Sequence, residues 1–159
     1  MAVFFLSMNM KRLLIETILI QSLNRLYQID ELNIRYDASE RNVYARLAHH
    51  MESIMREYDK EHNSRCFEGY YVDVEYNRMG FGDLKHFEDY KHMSHYMVSD
   101  LLIQSRGYKR NLLAIEMKKP HNRKTIEQDR ERLKSLVSPS SDESPLDCVH
   151  GTELGAFIV

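Results

Sequence analysis

Between Lys11 and Ile29 the apolar residues Leu14, Ile15, Ile18, Leu19, Leu23, Leu26 and Ile29 recur at helical spacing. The stripe is wide, so this N-terminal helix is either well buried or packed on a partner. Asp37-Ala38-Ser39-Glu40 supplies a helix start signal. A second helix is predicted from about Glu40 to Tyr58, with Val43, Leu47, Met51, Ile54 and Met55 on one stripe. The polar run Asp59–Gly69 reads as a loop. From Tyr70 to Asn77 the period changes to two: Tyr70, Val72, Val74 and Tyr76 alternate with Tyr71, Asp73, Glu75 and Asn77. That is a strand with one polar face.

Residues 79–97 show no clear periodicity and read as an irregular insertion. Val98–Ser105 and Leu112–Lys118 are short apolar runs around a turn containing Arg106-Gly107-Tyr108-Lys109, which predicts a hairpin. Both faces of its strands are apolar: Leu101, Ile103, Leu113 and Ile115 on one, Leu102, Leu112 and Ala114 on the other. Such strands are central in a sheet covered on both sides. Pro120 ends the second strand. Thr125–Val137 predicts a helix with Ile126, Leu133, Leu136 and Val137 inward, and Ser138–Thr152 is a Ser/Pro/Asp loop. Leu154–Val159 is a last apolar strand, expected parallel to 112–118 through a βαβ step.

The order α, α, β, β, β, α, β over 159 residues predicts one α/β domain. Residues 1–30 form an N-terminal helical extension of it. With 43% hydrophobic and 29% charged residues the chain is globular rather than disordered. Cys66 and Cys148 are too few for a disulfide framework, which fits a reducing cytoplasm. The apolar opening is followed, not preceded, by Lys11 and Arg12, so it does not read as a signal peptide. Lys11, Arg12 and Glu16 interrupt any membrane span.

The net charge of −2 advertises no global affinity for nucleic acid, but its distribution is uneven. Arg106–Lys134 holds ten Lys or Arg against four acids, whereas Asp30–Glu61 holds eight acids against five bases. A continuous basic third can present a phosphate-facing surface; a solvated helix face gives the same pattern.

Three charged residues occupy the apolar hairpin: Asp100, Glu116 and Lys118. If the turn is centred on Tyr108, residues whose numbers sum to 216 face each other, and Asp100 lies opposite Glu116. Lys118 follows on the face of Glu116. Burying such charges is costly unless they pair or bind a metal. Two carboxylates on rigid backbone suit Mg²⁺ or Mn²⁺, with waters and a phosphate completing the shell. A lysine beside them can orient water or stabilise charge building on a phosphate. This is equipment for metal-assisted phosphodiester hydrolysis.

Asp100, fifteen residues, then Glu116-Met117-Lys118, on SDLLIQSRGYKRNLLAIEMKK, resembles the PD-(D/E)XK nuclease superfamily of restriction-endonuclease-like fold. The resemblance spans about Ser39 to Val159. It implies an αβββαβ core, with a central mixed four-stranded sheet flanked by helices. It also implies Asp100 and Glu116 as metal ligands and Lys118 as the catalytic lysine. Many members add a glutamate from the first core helix, for which Glu40 is the match. The polar strand Asp73–Arg78 is similar to that of uncharacterised bacterial members, with Glu75 toward the site. Ser99 stands where the family usually has proline.

Lys109, Arg110, Lys119, Arg123, Lys124, Arg130 and Lys134 are the candidate contacts to nucleic acid, DNA above all. Tyr108, Phe81, Phe87, Tyr90 and Tyr96 could stack on bases or simply pack. His86, His92 and His95 lack cysteine partners at zinc-finger spacing and fit a substrate-facing loop. Of His49 and His50, one is expected in solvent. The rival to the enzyme is a catalytically inactive member serving as an oligomeric interaction or nucleic-acid-binding module, with the N-terminal helix as a homodimer interface.

Overall fold

The computed structural model describes residues 2–76, 78–79, 83–84, 86–88, 94–96, 99–105, 111–118, 126–137, 152 and 154–158. They form two compact units, Met1–Glu68 and Gly69–Val159.

The first unit is helical: α1 (Ala2–Ile29), α2 (Glu31–Arg35) and α3 (Glu40–Glu61). Helix α1 buries Ile15, Ile18, Ser22 and Leu26, and the Ser22 hydroxyl donates to Ile18 O at 2.6 Å. The buried face is narrower than the apolar stripe, and Ile29 is exposed. Helix α3 starts where Ser39 signals it: the Ser39 hydroxyl accepts from Asn42 N at 3.2 Å, satisfying a first-turn donor. Its inward face is Tyr44, Leu47, Ala48, His50, Met51, Ile54 and Met55. The helix runs past Tyr58 to Glu61, and Asp59 in its last turn holds the turn that follows. The Asp59 carboxylate accepts from the Ser64 hydroxyl at 2.6 Å and from the amides of Cys66 and Phe67, each at 2.9 Å. One side chain thus organises the turn that the polar composition suggested only as loop. The five-residue α2 has no apolar periodicity of its own, and no residue of it is buried.

The second unit is built on a four-stranded mixed sheet of β1 (Tyr71–Tyr76), β6 (Ser99–Gln104), β7 (Leu113–Met117) and β8 (Leu154–Ile158), in the order β1-β6-β7-β8. Strand β6 is antiparallel to both neighbours, and β8 is parallel to β7 as expected of the last strand. Among the described residues between β1 and β6 there are two small antiparallel ladders, where the sequence suggested irregular structure. They are β2 (Arg78–Met79) with β3 (Asp83–Leu84), and β4 (His86–Glu88) with β5 (Ser94–Tyr96). Strands of two or three residues are too short to show a period of two.

Leu101, Leu102, Ile103 and Leu112 through Ile115 are all buried, so both faces of the β6–β7 hairpin are covered. Helix α4 (Ile126–Val137) packs on β7 and β8. Gly155 marks the close approach: a Cβ there would lie 2.9 Å from Val137 Cγ2 and 3.7 Å from Leu133 Cδ2. Among the described residues, no helix is long and apolar enough to cross a membrane.

Candidate functional site

The pairing of β6 with β7 is Leu101↔Ile115, Leu102↔Ala114 and Ile103↔Leu113, the register whose numbers sum to 216. One step beyond the last pair, that register sets Asp100 across from Glu116. There the ladder gives way to a side chain: the Asp100 carboxylate takes the Met117 N–H, Oδ2 to N 2.7 Å. A half-buried carboxylate is thereby anchored to the backbone of the strand that carries Glu116. Glu116 itself is 0% exposed. Strand β7 is held on its other edge by β8, through Glu116↔Phe157, Met117↔Ile158 and the Lys118 amide to Ile158 O at 2.9 Å.

Residues paired across a ladder share a face, and so do residues two apart on one strand. Asp100, Glu116, Lys118, Gly155 and Phe157 therefore share one face of the sheet. Helix α4 lies against that face: Gly155 abuts Leu133 and Val137, and the Arg130 guanidinium is 5.6 Å from the centroid of the Phe157 ring. From the same helix Asp129 reaches Lys118, Oδ2 to Nζ 3.5 Å. Asp129 is 1% exposed, and the Lys118 side chain 17%.

Three further polar residues extend this face. Gln104 Nε2 donates to Asp73 Oδ2 at 2.9 Å across β6 and β1. The pairs Val74↔Leu101 and Tyr76↔Ser99 put Glu75 at the register position facing Asp100. Glu75 is exposed, and its φ of 50° departs from strand conformation. A non-glycine residue held there is strained, a condition that clusters at functional sites. Glu40 is the first residue of α3, in the N-terminal unit.

Of the candidate phosphate contacts, Arg130 and Lys134 are exposed on α4, each beside an acid three residues earlier. Arg130 Nη1 is 3.8 Å from Glu127 Oε1, and Lys134 Nζ is 2.6 Å from Glu131 Oε1. The hydrogen bond to Glu131 pushes the Lys134 ammonium above its ordinary pKa. Lys109, Arg110, Lys119, Arg123 and Lys124 lie outside the described residues, as do Phe81, Tyr90, His92 and Tyr108. His86 and Phe87 are on β4, and His95 and Tyr96 on β5, with Phe87 paired to His95.

Asp129 is absent from the sequence-derived candidates, although a signal for it exists. Position 129 falls on the inward stripe between Ile126 and Leu133, where a carboxylate is out of place without a charged partner.

Among the described residues no group of three or more His, Cys, Asp or Glu converges as a metal cage made wholly of protein would require. Mg²⁺ does not ask for one. It keeps several waters and is commonly held by one or two carboxylates plus substrate phosphate. Asp100 and Glu116 are hard oxygen donors at adjacent register positions, so the donor set fits such an ion and suits zinc poorly.

The second buried polar cluster lies in the helical unit and escaped the sequence analysis. Asp30 Oδ2 is 2.6 Å from His50 Nε2, and Arg46 Nε donates to Asp30 Oδ1 at 2.7 Å. Burial pushes the Asp30 carboxyl up, but the hydrogen bonds and charges of Arg46 and His50 outweigh it and hold it below its usual range. His50 is thus a packed helix partner, while His49 is exposed.

No family model matches this chain, and neither does any curated protein or solved structure.

Proposed function

We propose that this protein is a metal-dependent phosphodiester hydrolase of PD-(D/E)XK type, acting on nucleic acid, with DNA the favoured substrate and Mg²⁺ or Mn²⁺ the cofactor. The observation that carries the proposal is the register of β6 and β7. It sets Asp100 opposite Glu116 at the end of a buried hairpin, with Lys118 two residues on. The strand order β1-β6-β7-β8, with α4 leading from β7 to a parallel β8, supports a restriction-endonuclease-like core. Both carboxylates and the lysine face one side, as a shared site requires.

In this scheme Asp100 and Glu116 hold the cation, which would supply Lewis-acid polarisation of a phosphoryl oxygen. Lys118 orients water and offsets negative charge growing on the phosphate. Water adds across the scissile bond: its oxygen bonds to phosphorus, the bond to the leaving oxygen breaks, and a proton ends on that oxygen. Glu75 assists, and Lys109, Arg110, Lys119, Arg123, Lys124, Arg130 and Lys134 contact phosphates along the strand. A reducing cytoplasm is the proposed compartment, in keeping with the exposed free thiol of Cys66.

The test is cleavage of plasmid and single-stranded DNA with Mg²⁺ or Mn²⁺, comparing wild type with Lys118→Ala and Glu116→Gln. Cleavage that needs metal and is lost in both variants supports the proposal. No cleavage by the wild type, with no metal binding by calorimetry, overturns it.

One observation favours the second reading, an inactive member that serves as an interaction module. Leu13, Ile20 and Tyr27 are exposed at seven-residue spacing on α1, which puts them along one stripe. That stripe suits a second copy of the helix. Light scattering would then give a dimer that Ile20→Glu dissociates, and a monomeric wild type would dismiss it.

A further inference from the structure

We propose that Asp129 is a positioning residue for Lys118, anchoring its ammonium from α4 on the sheet face that Lys118 shares with Glu116. The inference rests on the hydrolase reading and adds a residue to it.

Three observations carry it. First, Asp129 is buried where its helix neighbours are not: Glu127, Gln128, Arg130 and Glu131 are all exposed, and Asp129 alone among these five turns toward the sheet. An ionised carboxylate on an inward stripe is costly without a cation to meet it. Second, among the described residues Asp129 meets the cation of Lys118, with Oδ2 and Nζ 3.5 Å apart. Third, Lys118 is also held at its other end, by its amide on Ile158 O at 2.9 Å.

The physical need is plain from the side chain. Lysine carries its charge on a flexible four-carbon stem, and a free ammonium samples many rotamers. An amine that must meet a phosphate at one point gains from being held near it, because misplacement by about 1 Å can lower a rate about a hundredfold. Strand β7 fixes where the stem begins and Asp129 fixes where it ends. Asp129 touches neither water nor phosphate in this account and acts only through Lys118.

The experiment compares wild type, Asp129→Asn and Asp129→Glu in steady-state cleavage, with the melting temperature of each recorded. The same proteins are treated with an amine-acetylating reagent, and the modification of Lys118 is read by mass spectrometry. For Asp129→Asn the expected result is a kcat lower by about tenfold to a hundredfold, KM within about twofold, and a Lys118 acetylated faster than in wild type. Asp129→Glu keeps the charge and restores part of kcat. It also serves as the test variant, with a kcat below wild type, should Asp129→Asn fail to fold. A wild-type kcat in Asp129→Asn, or a loss confined to KM, overturns the inference while the hydrolase reading stands. A wild type that cleaves no substrate removes the hydrolase reading, and the acetylation then decides the anchoring alone: faster labelling in Asp129→Asn supports it, equal labelling overturns it.

Discussion

Asp30 and His50 meet at 2.6 Å inside the helical unit, both buried, where α1 gives way to α2. With Arg46 on the other carboxylate oxygen, this contact ties the end of α1 to the middle of α3. Removing one member of a buried ionic group leaves the others without compensation. Asp30→Asn is therefore expected to destabilise the protein by about 3 kcal/mol, toward the low end of such effects because Arg46 is partly in water. The folded-state pKa of Asp30 lies below its ordinary 3.8. Its contribution is thus fully present above 3.8 and is lost as pH falls through the lowered value. Urea denaturation against pH checks this: the gap between wild type and Asp30→Asn should be wide at neutral pH and narrow in strong acid. A gap of constant width would refute the ionic account.

Arg25 and Glu57 form a two-pronged pair between α1 and α3, Nη1 to Oε1 3.0 Å and Nη2 to Oε2 2.9 Å. The hydrogen bond from Arg25, aided by one from Ser53, pulls the Glu57 carboxyl from 4.5 to about 2 against the opposing effect of desolvation. Its stabilisation is present above 4.5 and lost as pH falls toward that lowered value. Both side chains are partly in water, so Glu57→Gln should cost less than about 1 kcal/mol, and less again in high salt. Carboxyl titration by NMR and denaturation at two salt concentrations give the two numbers.

Gly155 sits where α4 comes closest to β8. Gly155→Ala puts a methyl 2.9 Å from Val137 Cγ2 and is expected to destabilise by about 1–2 kcal/mol through overpacking. Val137→Ala in the same chain should return most of that loss, because it removes the methyl that is met. Failure of the second change to compensate would place the strain elsewhere.

Glu75 holds a φ of 50° in β1, opposite Asp100 by register. Glycine tolerates that conformation and alanine does not. Glu75→Gly should therefore be more stable than Glu75→Ala by about 1 kcal/mol. Cleavage by the two variants separates backbone from side chain: if the Glu75 carboxylate assists the reaction, both lose activity alike despite their different stabilities.

Much of the candidate site's placement on the sheet was legible in the sequence because its determinants are local. Alternation and charge placed Asp100, Glu116 and Lys118 on two apolar runs, and a turn centred on Tyr108 set which residues oppose each other. The observed pairs Leu101↔Ile115 and Ile103↔Leu113 are that register. The Ser39 cap was legible for the same reason: its hydroxyl meets an amide only three residues away. By contrast, Glu75 reads as an ordinary strand residue, since a positive φ in one residue leaves no mark on a period of two.

What the sequence determined by itself was the type of the longer elements, the buried hairpin and its register, and the parallel last strand, because periodicity, turns and caps act over a few residues. What only the tertiary structure decided was which distant side chains meet. Asp30 with Arg46 and His50, Arg25 with Glu57, Gln104 with Asp73 and Asp129 with Lys118 each join residues on different elements. No local pattern names such partners. Each depends on how one element is rotated and shifted against another, and packing of the whole unit fixes that.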